Sequence, residues 1–91
     1  TDIETYSNIL LNLKLYPNPV SNTAILNIPY EKNKNLQILI FDSKGRKVKS
    51  YNHSSPSTFV FYKENLINGL YLLQVSENEN ILGHVKFIIQ D

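Results

Sequence analysis

Two histidines and no cysteine limit the nucleophilic chemistry that this chain of 91 residues can support. A serine nucleophile needs a base beside it, normally a histidine that a carboxylate orients. His53 stands in a serine-rich stretch with Ser54, Ser55 and Ser57, but a solvated loop offers no pocket in which to activate a hydroxyl. His84 stands near the start of the last predicted strand. We expect both histidines to be exposed and unpaired, and we expect no catalytic triad.

The eight carboxylates show no pairing that suits acid–base catalysis or metal binding. Glycoside hydrolysis needs two carboxyl groups facing each other across a cleft. All but one of the acids fall in predicted loops or termini: Asp2, Glu4, Glu31, Glu64, Glu77, Glu79 and Asp91. Asp42 is the exception, and we expect its side chain to accept amide hydrogens in a turn. With no phosphate-binding loop and no calcium or zinc ligand spacing, the sequence predicts no enzyme activity, no metal and no cofactor.

Charge and hydropathy argue against nucleic acid and membrane insertion. A net charge of +1 is too small to favour a polyanion. No apolar run approaches the roughly 18 residues of a membrane span. The basic group Lys44, Arg46, Lys47 and Lys49 has two interpretations, an anion site or charges that prevent unwanted pairing at a sheet edge. We favour the second interpretation.

The apolar residues are those of strands rather than helices. Ten isoleucines, five valines, six tyrosines and four phenylalanines stand against a single alanine, and β-branched and aromatic side chains suit a pleated surface. Alternation with period two predicts about seven short strands, at residues 13–16, 23–30, 36–42, 46–52, 58–62, 70–76 and 82–90. Residues 31–35 and 52–57 are predicted loops, residues 42–45 a hairpin turn in which Gly45 adopts the left-handed conformation, and residues 77–80 a second turn.

The same alternation predicts which side chains face the core: Ala24, Leu26, Ile28, Leu36, Ile38, Ile40, Val48, Ser50, Phe59, Phe61, Val85, Phe87 and Ile89. Leu39 and Phe41 then point outward, and two alternatives stay open for them, an exposed contact surface or burial under a loop. The pattern predicts an all-β fold, an Ig-like antiparallel β-sandwich of two sheets. Residues 13–91 form this domain, and residues 1–12 are interpreted as a linker from an upstream part of a longer precursor.

One segment carries a structural signature of such sandwiches. Leu66 is followed by Gly69 and then by Tyr71, which opens a strand. This spacing resembles the tyrosine corner, in which the ring packs in the core and the hydroxyl bonds to nearby backbone. We therefore interpret Tyr71 as a structural residue.

Four short motifs follow one another along the chain. Residues 16–19 read YPNP, residues 40–48 contain IFD, Gly45 and Val48, residues 68–75 read NGLYLLQV, and residues 86–90 read KFIIQ. In this order and spacing they resemble the C-terminal sorting domain (type A) of the type IX, or Por, secretion system. The resemblance covers residues 13–91. The chain departs from the family pattern in having Lys86 alone where the family often has two basic residues.

The resemblance implies a secretion signal that is bound by other proteins. Such domains end large exported proteins of Bacteroidetes-type bacteria, including proteases, glycosidases and adhesins. A separate N-terminal signal brings the precursor to the periplasm, where the outer-membrane translocon and a shuttle barrel recognise the folded domain. In many cases a surface sortase then cleaves the domain and attaches the cargo to lipopolysaccharide. The resemblance thus implies secretion or display at the cell surface, with residues 1–12 linking the domain to its cargo and no small-molecule substrate.

Carried over position by position, the sorting motifs supply ten candidate binding residues: Tyr16, Pro17, Asn18, Pro19, Gly69, Tyr71, Lys86, Phe87, Ile88 and Ile89. The last strand has Lys86, Ile88 and Gln90 on its other face, and we hypothesise that its edge accepts an added strand from a receptor.

The alternative function is an accessory carbohydrate-binding or adhesin-type β-sandwich module. Exposed aromatic side chains would carry carbohydrate binding, and the candidates are Tyr51, Tyr62 and Phe41. An adhesin-type module should occur in tandem within a chain.

Overall fold

Seven β-strands make up the regular structure of residues 11–29, 35–54 and 58–91, the parts of the chain that the computed structural model describes. No helix occurs among these residues. The strands are β1 (Lys14–Tyr16), β2 (Thr23–Asn27), β3 (Leu36–Asp42), β4 (Lys47–His53), β5 (Thr58–Tyr62), β6 (Gly69–Glu77) and β7 (Asn80–Ile89). Most of the predicted linker, residues 31–34 of the predicted loop 31–35, residues 55–57 of the predicted loop 52–57, and the end of the predicted second strand lie outside the described residues.

Two antiparallel sheets hold the strands. The smaller sheet has the order β1-β2-β5, and the larger has the order β4-β3-β6-β7. In the larger sheet β3–β4 and β6–β7 are hairpins, and the pairing of β3 with β6 joins them. The edge strands of that sheet are therefore β4 and β7. The prediction of an all-β sandwich with two antiparallel sheets is confirmed.

The core lies between the two sheets. The predicted inward residues of β2 and β3 are confirmed. Ala24 and Leu26 are buried on the smaller sheet, and Leu36, Ile38 and Ile40 are buried on the larger sheet. Burying each large apolar side chain contributes roughly 1.5–3 kcal/mol. Three rings bridge the sheets at one end, because Phe61 meets the ring of Phe87 edge-on at 5.3 Å and Tyr71 stacks on the same ring at 5.6 Å.

Local turn chemistry places both hairpins of the larger sheet. In the first, the amide of Gly45 donates to the carbonyl of Asp42 at 3.0 Å, and Gly45 has a φ of 86°, a conformation that glycine adopts without steric cost. In the second, Asn78 and Glu79 have φ of 50° and 70°. Positive φ at both central residues matches the right-handed twist of the flanking strands. Both predicted turns are confirmed.

The prediction for the inner side of β4 is wrong. Val48 and Ser50 are exposed, and Lys49, Tyr51 and His53 face inward instead. The reason is a register shift, because Ile40 pairs with Lys49 whereas the next residue of β3, Phe41, pairs with Lys47. Such a bulge puts one extra residue into a strand and moves the residues beyond it to the opposite face.

Candidate functional site

The histidines do not form a catalytic arrangement with the described residues. His84 is exposed on β7, as predicted. His53 is half-buried, and its ring meets Phe59 edge-on at 5.3 Å. The expectation that His53 is exposed is therefore wrong, because the bulge in β4 turns it inward opposite Leu36. Ser54 is exposed, whereas Ser55 and Ser57 lie outside the described residues.

Asp42 organises the β3–β4 turn. Its Oδ1 accepts hydrogen bonds from the amides of Lys44 at 2.9 Å and Arg46 at 3.0 Å, and its Oδ2 accepts from Arg46 Nε at 2.9 Å. The backbone hydrogen bond from Arg46 is the largest cause that lowers the pKa of the Asp42 carboxyl below its ordinary value of 3.8. The predicted role of Asp42 as an acceptor of turn amides is confirmed.

The basic group lies at a sheet edge, as predicted, but one member differs from the others. Lys47 and Lys49 belong to the edge strand β4, and Lys44 and Arg46 belong to the turn before it. Lys49 points inward and pairs with Glu64, and the hydrogen bond that Lys49 donates to that carboxylate raises the pKa of Lys49. In the described part of the chain, no cluster of three or more histidines or acids could hold a metal ion. No helix among the described residues is long and apolar enough to span a bilayer.

The tyrosine corner forms as predicted. Tyr71 is 5% exposed, and its hydroxyl donates to the carbonyl of Ile67 at 2.6 Å. Its ring stacks on Phe87, the residue directly opposite it on β7. Gly69 likewise lies opposite Ile89. The third motif and the terminal motif are therefore neighbours in the larger sheet.

The first motif is attached to the same strand by the side chain of Asn18. Asn18 Oδ1 accepts a hydrogen bond from the amide of Ile88 at 3.0 Å, and Asn18 Nδ2 lies 3.4 Å from the carbonyl oxygen of Lys86. Two residues on, the amide of Val20 donates to the carbonyl of Ile88 at 2.7 Å, and the amide of Gln90 donates to the carbonyl of Val20 at 2.8 Å. Val20 thus donates to the residue before Ile89 and accepts from the residue after it, which is the pattern of a parallel ladder. The carboxamide of Asn18 thus occupies the place that a peptide group of a neighbouring strand would take opposite Phe87.

This ladder changes the interpretation of the last strand. β7 is an edge strand, but Asn18 and Val20 already bond its outward backbone groups between Lys86 and Gln90. The hypothesis of an open edge for strand addition does not hold over this stretch. The sequence analysis missed Val20, which is fully buried and forms the isolated parallel bridge with Ile89.

All four motifs therefore lie together, since Asp42 of the second motif pairs with Tyr71 of the third, and the candidate residues divide by exposure. Tyr71, Phe87 and Ile89 are buried in the core, and Gly69 is half-buried. The other candidates are exposed: Tyr16, Pro17, Asn18, Pro19, Lys86 and Ile88. The peptide bonds before Pro17 and Pro19 are both cis.

The fold and this site define a small two-sheet β-sandwich in which residues from near the two ends of the chain build one surface. A family model described as "Secretion system C-terminal sorting domain" matches residues 14–90. The chain therefore belongs to this family of type IX secretion sorting domains, which are non-catalytic in general. A signal of this kind directs secretion to the cell surface or the medium and implies interaction with the secretion machinery. No curated protein matches the chain.

Proposed function

We propose that the domain has no catalytic activity of its own and acts as the folded address of a cargo protein in type IX secretion. The outer-membrane translocon and the shuttle barrel recognise it, and the surface sortase processes it. Residues 13–91 are the sorting domain, and residues 1–12 link it to the cargo. The cargo passes through the periplasm and the outer membrane to the cell surface or the medium.

The contact of Asn18 with β7 is the observation that carries this proposal. A linear signal would be readable in an unfolded chain. Here the exposed residues of the first and last motifs come together because the carboxamide of Asn18 bonds the backbone of Lys86 and Ile88, and because backbone bonds of Val20 continue that ladder. Recognition of such a surface requires the folded domain.

Burial divides the candidate residues into two roles. The side chains of Tyr71, Phe87 and Ile89 have almost no exposed surface, so they serve the fold and position their neighbours. Pro17 and Lys86 are exposed and are available to a receptor, as are the other exposed candidates. Phe87 connects the two roles, because it lies in the core between the exposed residues Lys86 and Ile88.

A fusion experiment tests the proposal. Residues 1–91 are joined to the C-terminus of a fluorescent reporter that folds in the periplasm and carries an N-terminal periplasmic signal. We expect the reporter at the surface or in the medium of a host with the type IX system, and in the periplasm of an isogenic host without it. Equal release from both hosts would contradict the proposal.

A truncation separates the address from the cargo. Deletion of residues 87–91 removes two core side chains and the end of β7, including the Ile88 amide that donates to Asn18. We expect the truncated fusion to stay in the periplasm with full reporter fluorescence, and normal export of it would count against a folded address.

The mass of the exported reporter tests the sortase step. Loss of the domain by cleavage within residues 1–12 is expected, and an exported reporter that keeps the whole domain would remove the sortase from the proposal.

The carbohydrate-binding alternative finds little support in the positions of its three aromatic candidates. Tyr62 is exposed on the smaller sheet, whereas Phe41 is half-buried on the outer face of the larger sheet. Tyr51 faces inward, with its ring 5.1 Å from that of Phe59. The three rings therefore share no platform on which a sugar could stack.

A further inference from the structure

The outer face of the larger sheet carries an ordered row of side chains. Phe41 lies directly opposite Lys47 on one side and Leu72 on the other, and Leu72 lies opposite Lys86. Residues paired in this way point to the same face of a sheet. One row thus crosses all four strands, with an apolar pair in the middle and a lysine at each end. We call these four residues the lysine-flanked row.

A second apolar pair extends the row toward the end of the sheet. Leu70 lies opposite Ile88, and these side chains are 48% and 43% exposed. Phe41 and Leu72 are half-buried beside them. Covering this surface would be favourable, since removing apolar surface from water contributes a free energy of roughly 25 cal/mol per square ångström. A contiguous apolar patch of this kind on a monomer marks a contact surface.

Charge on this face has one sign. Among the described strand residues that point outward from the larger sheet there is no carboxylate, and the charged members are Lys47 and Lys86. Neither lysine forms an ion pair with a described residue. Opposite charge on a partner would steer its approach and fix its orientation, while a basic partner would be repelled.

The smaller sheet presents a different surface. Tyr16, Ile25 and Val60 form a row across its three strands and are similarly exposed. Lys14, two residues before Tyr16 on β1, is the single charged residue among the described outward positions of that sheet. This row offers apolar contact with almost no charge, so it lacks the means to select a partner by charge.

We propose that the lysine-flanked row, together with Leu70 and Ile88, is the docking surface for a protein of the export machinery. The partner presents an apolar centre with carboxylates on two sides of it, spaced to reach Lys47 and Lys86. This inference rests on the proposed function and names the surface that it uses. A membrane surface is the less favoured occupant, since binding to anionic lipid requires clusters of about 4–8 basic residues.

Charge reversal in the reporter fusion tests the charged part of the surface. In a host with the secretion system, the variant K47E/K86E should lower export by about tenfold or more, because each new carboxylate would face a carboxylate of the partner. The variant K14E/K44E is the matched control, since it reverses two exposed lysines away from the row, and it should be exported within about twofold of the unaltered fusion.

Polar substitution tests the apolar part. Leu70→Thr with Ile88→Thr keeps residues that suit a strand and should reduce export to a similar degree. Ile25→Thr with Val60→Thr makes the same kind of change on the smaller sheet and should be exported normally. The thermal unfolding midpoint of each purified domain is measured as well. Export is compared only for variants whose midpoint equals that of the unaltered domain. If a Thr pair lowers the midpoint, Leu70→Gln or Ile25→Gln alone replaces it.

The outcomes separate this inference from the proposed function. Failure of the unaltered fusion to be exported contradicts the proposed function itself. Normal export of K47E/K86E, or loss of export in the Ile25/Val60 pair but not in the Leu70/Ile88 pair, overturns the docking surface and leaves the proposed function standing. Binding of the purified domain to protein-free vesicles of anionic lipid, lost in K47E/K86E, would likewise overturn it in favour of a membrane.

Discussion

The side-chain oxygen of Asn18 lies 3.0 Å from the amide nitrogen of Ile88, a residue 70 positions further along the chain. Through this bond a turn that precedes β2 becomes a substitute strand on the edge of β7. Backbone bonds of Val20 to Ile88 and Gln90 continue the same ladder. The two ends of the domain are thereby held together, which explains how motifs so far apart in sequence can form a single surface.

Replacing Asn18 with leucine tests the substitute strand. Leucine has a similar shape but neither donates nor accepts, so we expect a loss of about 1–2 kcal/mol in the free energy of unfolding. Hydrogen exchange at the Ile88 amide should become faster, which reports the lost bond directly. Asn22→Leu, a change at an exposed position in the same segment, is the control and should leave this amide protected. An Ile88 amide that stays protected in Asn18→Leu would show that the side chain is not its partner.

Tyr71→Phe removes only the hydroxyl that donates to the Ile67 carbonyl. The ring and its stacking on Phe87 remain, so the loss should be that of one hydrogen bond, about 1 kcal/mol. For a domain of this size that loss lowers the melting temperature by roughly 4–8 °C. Tyr62→Phe changes a 55% exposed tyrosine and should leave the melting temperature unchanged. Equal effects of the two changes would mean that the corner does not stabilise the fold.

Gly83→Ala should detach the start of the described chain from β7. A Cβ at Gly83 would lie 2.8 Å from the carbonyl oxygen of Leu11 and 3.2 Å from Leu13 Cγ. Because one of these atoms is backbone, the segment itself must move, at a cost of about 1–3 kcal/mol. The Leu11 amide donates to the carbonyl of Leu82 at 2.6 Å, and its hydrogen exchange should become faster. Gly45→Ala strains a left-handed turn with open space around it, so it should destabilise the domain without affecting the Leu11 amide.

The stabilisation that Asp42 provides should depend on pH. Its folded pKa is lowered below the ordinary value of 3.8, chiefly by the backbone hydrogen bond from Arg46. Folding therefore favours the ionised form, so the contribution is fully present above about pH 4 and disappears as the pH falls through the folded pKa. Asp42→Asn should be less stable than the unaltered domain at neutral pH, and the difference should shrink in acid. Chemical denaturation between pH 7 and pH 2 measures it, and a difference that stays constant would refute the role of the charge.

Much of the fold could be predicted from local patterns. β3 begins and ends where alternation placed it, with Leu36, Ile38 and Ile40 buried. This succeeds because successive side chains of a strand point to opposite faces, so a run of alternating residues carries its own orientation. The turn at Gly45 was equally predictable, because few residues adopt the required backbone conformation.

The sequence predicted which residues belong to the candidate site, but not how those residues contact one another. The resemblance named Asn18 and Ile88 as motif residues, but no pattern in the sequence indicated that they bond to each other. The same limit applied to Leu39 and Phe41, for which exposure and burial stayed open. The structure places them half-buried on the outer face, where Phe41 lies opposite Leu72.

The sequence by itself thus determined where strands and turns fall and which residues face inward in β2, β3, β5 and the end of β7, because these depend on interactions between near neighbours. Tertiary structure alone decided the bulge opposite Ile40 and Phe41, which reversed the faces of β4, and the attachment of Asn18 to β7. Both depend on sheet order and register. Register is set by the combined packing of strands distant in sequence, and a shift of one residue exchanges the buried and exposed faces.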